Sequence, residues 1–303
     1  MAKKNLDLMD SSPKVKHSRG ENIFNVCNII IMLLFMIACL YPFWYVICAS
    51  FSKSTLLMGN TKALLLPLGW STAAYERVFH TATIWRGYGN TIIYVGVGTL
   101  INIIMTLLAA YFLSRKDLPG KTVLTIFIMF TMYFSGGMVP GYLNIQQLGL
   151  YDTRWALLLG GAVSTYNLII MRTAMSGIDA ALTESAMLDG AGHVTILFRI
   201  LVPLCKATIA VLVLYYGVGH WNSWFNAMIY LEDKSKQPLQ LVLRQILILA
   251  DLSDAGVGSE DAEQLSETIK YATIIVSTAP ILALYPFLQK YFTKGVMVGA
   301  VKG

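Results

Sequence analysis

The chain has 303 residues, 56% hydrophobic and only 13% charged, whereas about a quarter of the residues in a soluble domain are charged. With a mean hydropathy of +0.60, it reads as one polytopic membrane domain filling most of the length. The net charge of +6 invites nucleic acid as a partner, but there is no basic helix or aromatic-basic stripe to bind it, so that class is excluded and the excess is assigned to membrane orientation.

Residues 1–22 are polar and carry Lys3, Lys4, Lys14, Lys16 and Arg19, which marks a cytoplasmic tail. Ile23–Ala49 follows as the first span. Its roughly 27 residues exceed a signal h-region and cross a ~30 Å hydrocarbon core with some tilt. Tyr41-Pro42 predicts a kink, and Trp44 and Tyr45 suit the interface. A polar connection over 50–85 leads to the second span, Thr91–Leu113, where Gly96 and Gly98 allow close helix contact. The short basic loop 114–121 precedes the third span, Val123–Val139, whose end is rich in glycine (Ser135-Gly136-Gly137). An outer loop over 141–154 leads to the fourth, Trp155–Met171.

Between the fourth and fifth spans lies a polar, helix-forming insert, residues 179–203. Asp179 is placed to N-cap a first helix of good helix formers ending at Leu188. Asp189-Gly190 breaks it, because glycine enters the left-handed conformation without steric cost. An apolar face then resumes at Val194, Leu197, Leu201 and Leu204, and Pro203 falls where a membrane helix is expected to begin.

The fifth span covers Lys206–Ile229, and the second long connection covers 231–270. Within it Pro238–Ala250 is too short to cross and carries Arg244 in mid-run, so it reads as a half-buried amphipathic helix. Tyr271–Leu288, with Pro280 and Pro286 to bend it, is the sixth span, and residues 292–303 form a tail. The expected fold is all-α: a polytopic membrane domain of six transmembrane helices over 23–291, with a helical hairpin at 179–203 and both termini on one side. With this layout 14 of the 23 lysines and arginines fall on the side of the termini, which identifies it as the cytoplasm.

Catalytic and metal chemistry find no footing. There is no GxxxxGK[ST], HExxH or GxSxG motif, and His17, His80, His193 and His220 are scattered. The acidic residues Asp251, Asp254, Glu260, Asp261 and Glu263 lack EF-hand spacing. Cys27, Cys39, Cys48 and Cys205 show no CxxC spacing and are expected as buried free thiols. Two constellations suit a sugar. Trp221, Asn222, Phe225 and Asn226 on the fifth span combine amides for hydroxyls with aromatic faces for ring C–H groups; at helical spacing Trp221 and Phe225 share one face and the two asparagines the next. Tyr133, Tyr166 and Asn167, with Tyr142, form the second. An interfacial aromatic belt explains both sets equally well, and the residues alone leave that open. Two other classes stand as alternatives. A stand-alone secondary transporter or channel requires intramembrane ionisable residues or inverted repeats, and a membrane enzyme acting on glycan or lipid requires a convergent acid, base or metal set.

Residue order carries a resemblance. Glu184-Ser185-Ala186, Asp189-Gly190-Ala191, Phe198, Ile200 and Pro203 resemble the EAA loop of ATP-binding-cassette (ABC) importer permeases, with Ser185 replacing an alanine and Asp179 standing where the family often has proline. The stretches 153–173, 217–231 and 292–303 are similar to the sugar-permease subgroup, more narrowly the MalG/LplC-like, binding-protein-dependent inner membrane components of carbohydrate uptake. The resemblance implies that the hairpin is a coupling helix docked in an ATPase groove, with Glu184, Ser185, Ala186, Leu188, Asp189, Gly190 and Ala191 as its contact residues. It implies no cofactor on this chain, since ATP and Mg belong to the ATPase subunit dimer. The other implied partners are a second permease subunit in a heterodimer, an extracellular solute-binding protein, membrane lipid, and an oligosaccharide or polysaccharide fragment as substrate. It also implies a multi-pass place in the bacterial cytoplasmic membrane. The 231–270 loop would reach the binding protein, and Lys294–Lys302 would touch the ATPases.

Overall fold

The computed structural model describes residues 19–252, apart from 59 and 61, together with 268–283. Most of the N-terminal tail, the acidic stretch 253–267, the end of the sixth expected span and the C-terminal tail lie outside the described residues. Among the described residues the regular elements are helical, and the one strand-like feature is an isolated bridge between Ser52 and Trp70.

Helix α1, Arg19–Ser50, runs through Pro42. It is apolar on all sides, and its most hydrophobic stretch is entirely unburied within the chain, as fits a helix surrounded by lipid. Only its end is held. Cys48 and Ala49 pack with Leu57 and Leu64, the Trp44 indole donates to the Leu65 carbonyl at 2.9 Å, and Tyr45 meets Tyr271 edge-on. Cys27 and Cys39 are exposed on α1 and only Cys48 and Cys205 are buried, so the expectation of four buried thiols is corrected; all four are free. Two short helices, α2 (Ser54–Met58) and α3 (Ala73–His80), occupy the first polar connection.

Helix α4, Ala82–Ser114, is the central rod and starts well before the expected Thr91. Packing rather than hydropathy extends it. At Gly87 the backbone passes so close to Leu239 that a Cβ would stand 3.1 Å from its Cα. One face of α4 buries Asn90, Thr91, Tyr94, Asn102 and Thr106 at helical spacing, a polar seam inside an apolar helix.

Three expected spans are interrupted. The third is α5 (Lys121–Tyr133) followed by α6 (Met138–Gln147), bent by 112°. Gly137, at φ +93°, makes that turn, and much of the expected outer loop is helical α6. The fourth consists of α7 (Arg154–Leu159) and α8 (Thr165–Ser176), separated over 160–164. After α9 (Ala180–Leu188) and α10 (His193–Leu204) the chain bends by 87° at Cys205 into α11, Lys206–Trp221. Pro203 therefore sits in the last turn of α10, not at the start of the membrane helix. The fifth expected span stops at Trp221, and α12 (Phe225–Tyr230) restarts after an irregular step at Trp224. The amphipathic helix is present as α13, Leu239–Leu252, and α14 covers Thr268–Ala283. Among the described residues two helices, α1 and α4, are singly long and apolar enough to cross a membrane, or up to four spans if each bent pair counts as one.

Two apolar clusters hold the body together. One joins Leu107, Ala110 and Leu113 of α4 to Leu168, Met171 and Met175 of α8, with Leu197 and Leu212. The other sets Trp221 among Val78, Ile84, Leu239 and Val242.

Candidate functional site

The hairpin comprises α9 and α10. Asp179 caps α9 as the sequence indicates, its Oδ1 accepting the Ala181 N–H at 3.0 Å. At the other end Gly190 adopts φ +81°. Its N–H donates to the Met187 carbonyl at 3.0 Å and the Ala191 N–H to the Ala186 carbonyl at 2.9 Å, the pairing that closes a helix through a left-handed residue. Glu184, Ser185 and Asp189 are exposed, Ala186 and Ala191 half-buried, and Leu188 is 89% exposed. With Leu182, Met187 and Val194 also exposed, the hairpin presents an apolar knob next to a carboxylate.

The second arm is anchored. Ile196, Leu197 and Leu201 are buried within a π-helical stretch. His193 Nδ1 bonds the Tyr111 hydroxyl at 2.8 Å, which ties the hairpin root to the end of α4.

A cavity of about 800 Å³ lies between α4, α6, α7, α8, α11 and α12. Its polar lining includes Asn102, Asn144, Ser164, Asn167, His220 and Asn226. Asn102 is fully buried; its Nδ2 donates to the carbonyls of Gly161 and Ala162, both at 2.9 Å. With the amide nitrogen spent, Oδ1 is left to accept from His220 Nε2 at 2.7 Å, which assigns the ring proton to Nε2. The Tyr216 hydroxyl accepts the Ser164 N–H at 3.1 Å and pairs with Thr106 Oγ1 at 2.7 Å. Side chains from α4 and α11 thus satisfy the backbone exposed by the α7–α8 break, as buried peptide groups outside regular structure require. Gly98 makes room for the histidine: a Cβ there would be 2.6 Å from His220 Nε2.

Of the sugar candidates, Asn167 and Asn226 line this cavity. Tyr133 and Tyr166 are 74% and 53% exposed and lie off it, as does Phe225. Trp221 is buried against Tyr88 and the second apolar cluster. It shares no helical face with Phe225, because α11 ends between them. Asn222 lines a different cavity. Asn102, Ser164 and Tyr216 went unread in the sequence. The asparagine's signal was available, as a lone amide in an apolar run; the other two depend on the position of the break.

A polar clasp joins the α6–α7 loop to the residues after α12. Asp152, at φ +52°, accepts the N–H groups of Glu232 (3.1 Å) and Asp233 (3.0 Å) on Oδ1. Lys236 Nζ reaches its carbonyl at 2.6 Å and Oδ2 at 3.3 Å. The Asp233 N–H first, and then Lys236, hold the Asp152 carboxyl below the ordinary aspartate range.

Comparisons with known proteins agree on one kind of relative. The chain is 40% identical over 288 residues to Protein LplC of Bacillus subtilis, covering 95% of this chain and 97% of that protein. It is 41% identical over 277 residues to the polygalacturonan/rhamnogalacturonan transport system permease protein YtcP of the same organism, covering 90% and 96%. Among solved structures, a chain of a bacterial ABC transporter involved in import of the acidic polysaccharide alginate superposes with a TM-score of 0.84 at 35% identity, over 91% of this chain and 99% of that one. No family model matches the chain.

Proposed function

The chain belongs to the permease family of carbohydrate ABC importers, and from that premise we propose that it is half of a translocation pathway for oligosaccharides or polysaccharide fragments. A second permease subunit supplies the other half. The chain crosses the bacterial cytoplasmic membrane six times, several crossings being broken helices, with both termini in the cytoplasm. An ATPase dimer, which holds ATP and Mg, grips the 179–203 hairpin, and an extracellular solute-binding protein delivers the sugar to the opposite face.

The observation that carries this reading is the continuity of α8. One end begins at the break whose carbonyls Asn102 holds beside the cavity, and the other leads into the exposed hairpin. A push on the hairpin therefore reaches the cavity wall through one short rod. Glu184 offers hydrogen-bond acceptors at the docking surface, Leu188 with Ala186 and Ala191 fills an apolar socket, and Ser185 and Asp189 flank them. Gly190 fixes the angle between the arms. Asn167 and Asn226 supply amides to passing hydroxyls; Trp221, Phe225, Tyr133 and Tyr166 are left with packing or lipid-facing roles. Alternating access follows when closure of the ATPases rocks these elements as a unit.

The test is reconstitution of the complex purified through this chain. Expected are a soluble ATPase and a second permease in the preparation, with ATP hydrolysis stimulated by loaded binding protein. Recovery of the chain without an ATPase, together with transport driven by an ion gradient, would overturn the proposal.

A further inference from the structure

A second cavity, of about 350 Å³, opens where the step after α11 meets α13 and α14. Its polar lining includes Asn222, Trp224, Gln240, Arg244, Thr273 and Ser277, none of which lines the larger cavity. Its size is at the lower end of the ~300–1,000 Å³ typical of small-ligand sites.

Two features of this lining point to a ligand. The first is Arg244. Its guanidinium carbon lies 3.9 Å from the Trp224 ring centroid, and one Nη donates to Met228 Sδ at 3.2 Å, a weak acceptor. None of the ion pairs among the described residues involves it. A guanidinium held against an indole keeps its free N–H edge in a fixed plane, the geometry that takes a carboxylate through two parallel bonds. The second is Thr273. It is 1% exposed, and its hydroxyl is one of two buried side-chain polar atoms without a partner among the described residues. In the same helix Ser277 and Thr278 both donate to the Ile274 carbonyl, so Thr273 departs from the local habit. A native structure usually satisfies such a group, and a bound ligand is one way to do so.

We infer that this cavity binds an acidic sugar ring, a uronate, with Arg244 on its carboxylate, the amides of Asn222 and Gln240 on its hydroxyls and Thr273 completing the set. The inference rests on the carbohydrate-importer reading and deepens it. The polar lining of the larger cavity is made of amides, hydroxyls, tyrosines and one histidine, with no lysine or arginine, so among the described residues lining the two cavities Arg244 is the cation that separates acidic from neutral saccharides.

The test uses the permease–ATPase complex in nanodiscs of neutral lipid, with the binding protein omitted so that its own site does not contribute. Equilibrium binding of trigalacturonate is compared with binding of its fully methyl-esterified form. Arg244→Gln is expected to weaken binding of the acid at least about tenfold while moving the ester less than about twofold. Thr273→Val is expected to weaken both about threefold with thermal stability equal or higher, since it removes an unpaired buried hydroxyl while keeping the volume; unchanged binding of both would overturn its place in the site. Equal effects of Arg244→Gln on acid and ester, or none on either, overturn the inference. So does an Arg244 effect that appears only in discs containing anionic lipid, which would assign the arginine to a phosphate headgroup. Binding of neutral saccharides alone refutes the uronate site and leaves the importer standing, whereas absence of any ATPase in the complex refutes the importer reading and this site with it.

Discussion

Gly190 and Gly98 are glycines for opposite reasons. Nothing lies within 4 Å of a Cβ built on Gly190, but its φ of +81° belongs to glycine. Gly98 has an ordinary backbone and no space, because the His220 ring fills it. Gly190→Val forces about 1–2 kcal/mol of backbone strain onto the turn and alters the angle between the arms. The expected outcome is loss of sugar uptake with ATP hydrolysis persisting uncoupled, read in proteoliposomes. Gly98→Ala pushes the ring off its 2.7 Å bond to Asn102 and leaves a buried amide oxygen unpaired. A stability loss of roughly 1–3 kcal/mol is expected, whereas Gly96→Ala, which meets nothing, should be neutral; melting of the two variants in detergent checks the pair. Both glycines at 96 and 98 were legible as contact residues. Choosing between them required knowing which residue of α11 faces α4, and hydropathy does not encode that. The left-handed conformation of Gly190 was legible outright, since a helix-forming run that stops at Asp-Gly has one conformational meaning.

The helices were legible as apolar runs, but their breaks were mostly not. At 135–137 the Ser-Gly-Gly stretch announced an end, and the chain turns there. At 160–164 two glycines sit inside a run still apolar enough to read as continuous, so the fourth span looked straight. What stabilises that break is distant in sequence: Asn102 and Tyr216 bind its carbonyls and N–H from α4 and α11. Asn102→Leu should therefore melt the α7–α8 junction first. Hydrogen exchange at the Ser164 amide is expected to rise at least about tenfold while the α9 amides do not change; uniform acceleration across the chain would argue against a local role. The clasp between the loops behaves as an element of its own, and its stabilisation is pH-dependent. The folded Asp152 carboxyl binds its proton less readily than in the unfolded chain. Its contribution is thus present above the ordinary value of 3.8 and is lost as pH falls through the lower folded value. Asp152→Asn should lower the melting temperature at pH 6, and the gap from the parent protein should close as pH falls below 3.8 and through the lower folded value. A gap constant over that range would show the carboxylate charge to be irrelevant.

As a whole, the chain leaves large apolar surfaces uncovered by its own residues. α1 is attached at one end and exposes apolar surface along the rest, and the hairpin places Leu188 in the open. Composition was enough to identify a membrane protein, and the residue order of one loop was enough to identify the family. Of the eight residues singled out as suited to a sugar, the larger cavity gathers Asn167 and Asn226 and the smaller one Asn222, because amides must face a polar space while aromatics are equally content in lipid or in a core. Coupling to an ATPase requires the hairpin to face the cytoplasm. The direct test is Leu188→Cys in a chain whose four native cysteines, all free, have been replaced. The cysteine is expected to react with a membrane-impermeant thiol reagent only in inside-out vesicles, to be protected when the ATPases are bound, and to crosslink to them. Labelling from the outside of intact cells, or reactivity indifferent to the ATPases, would contradict it.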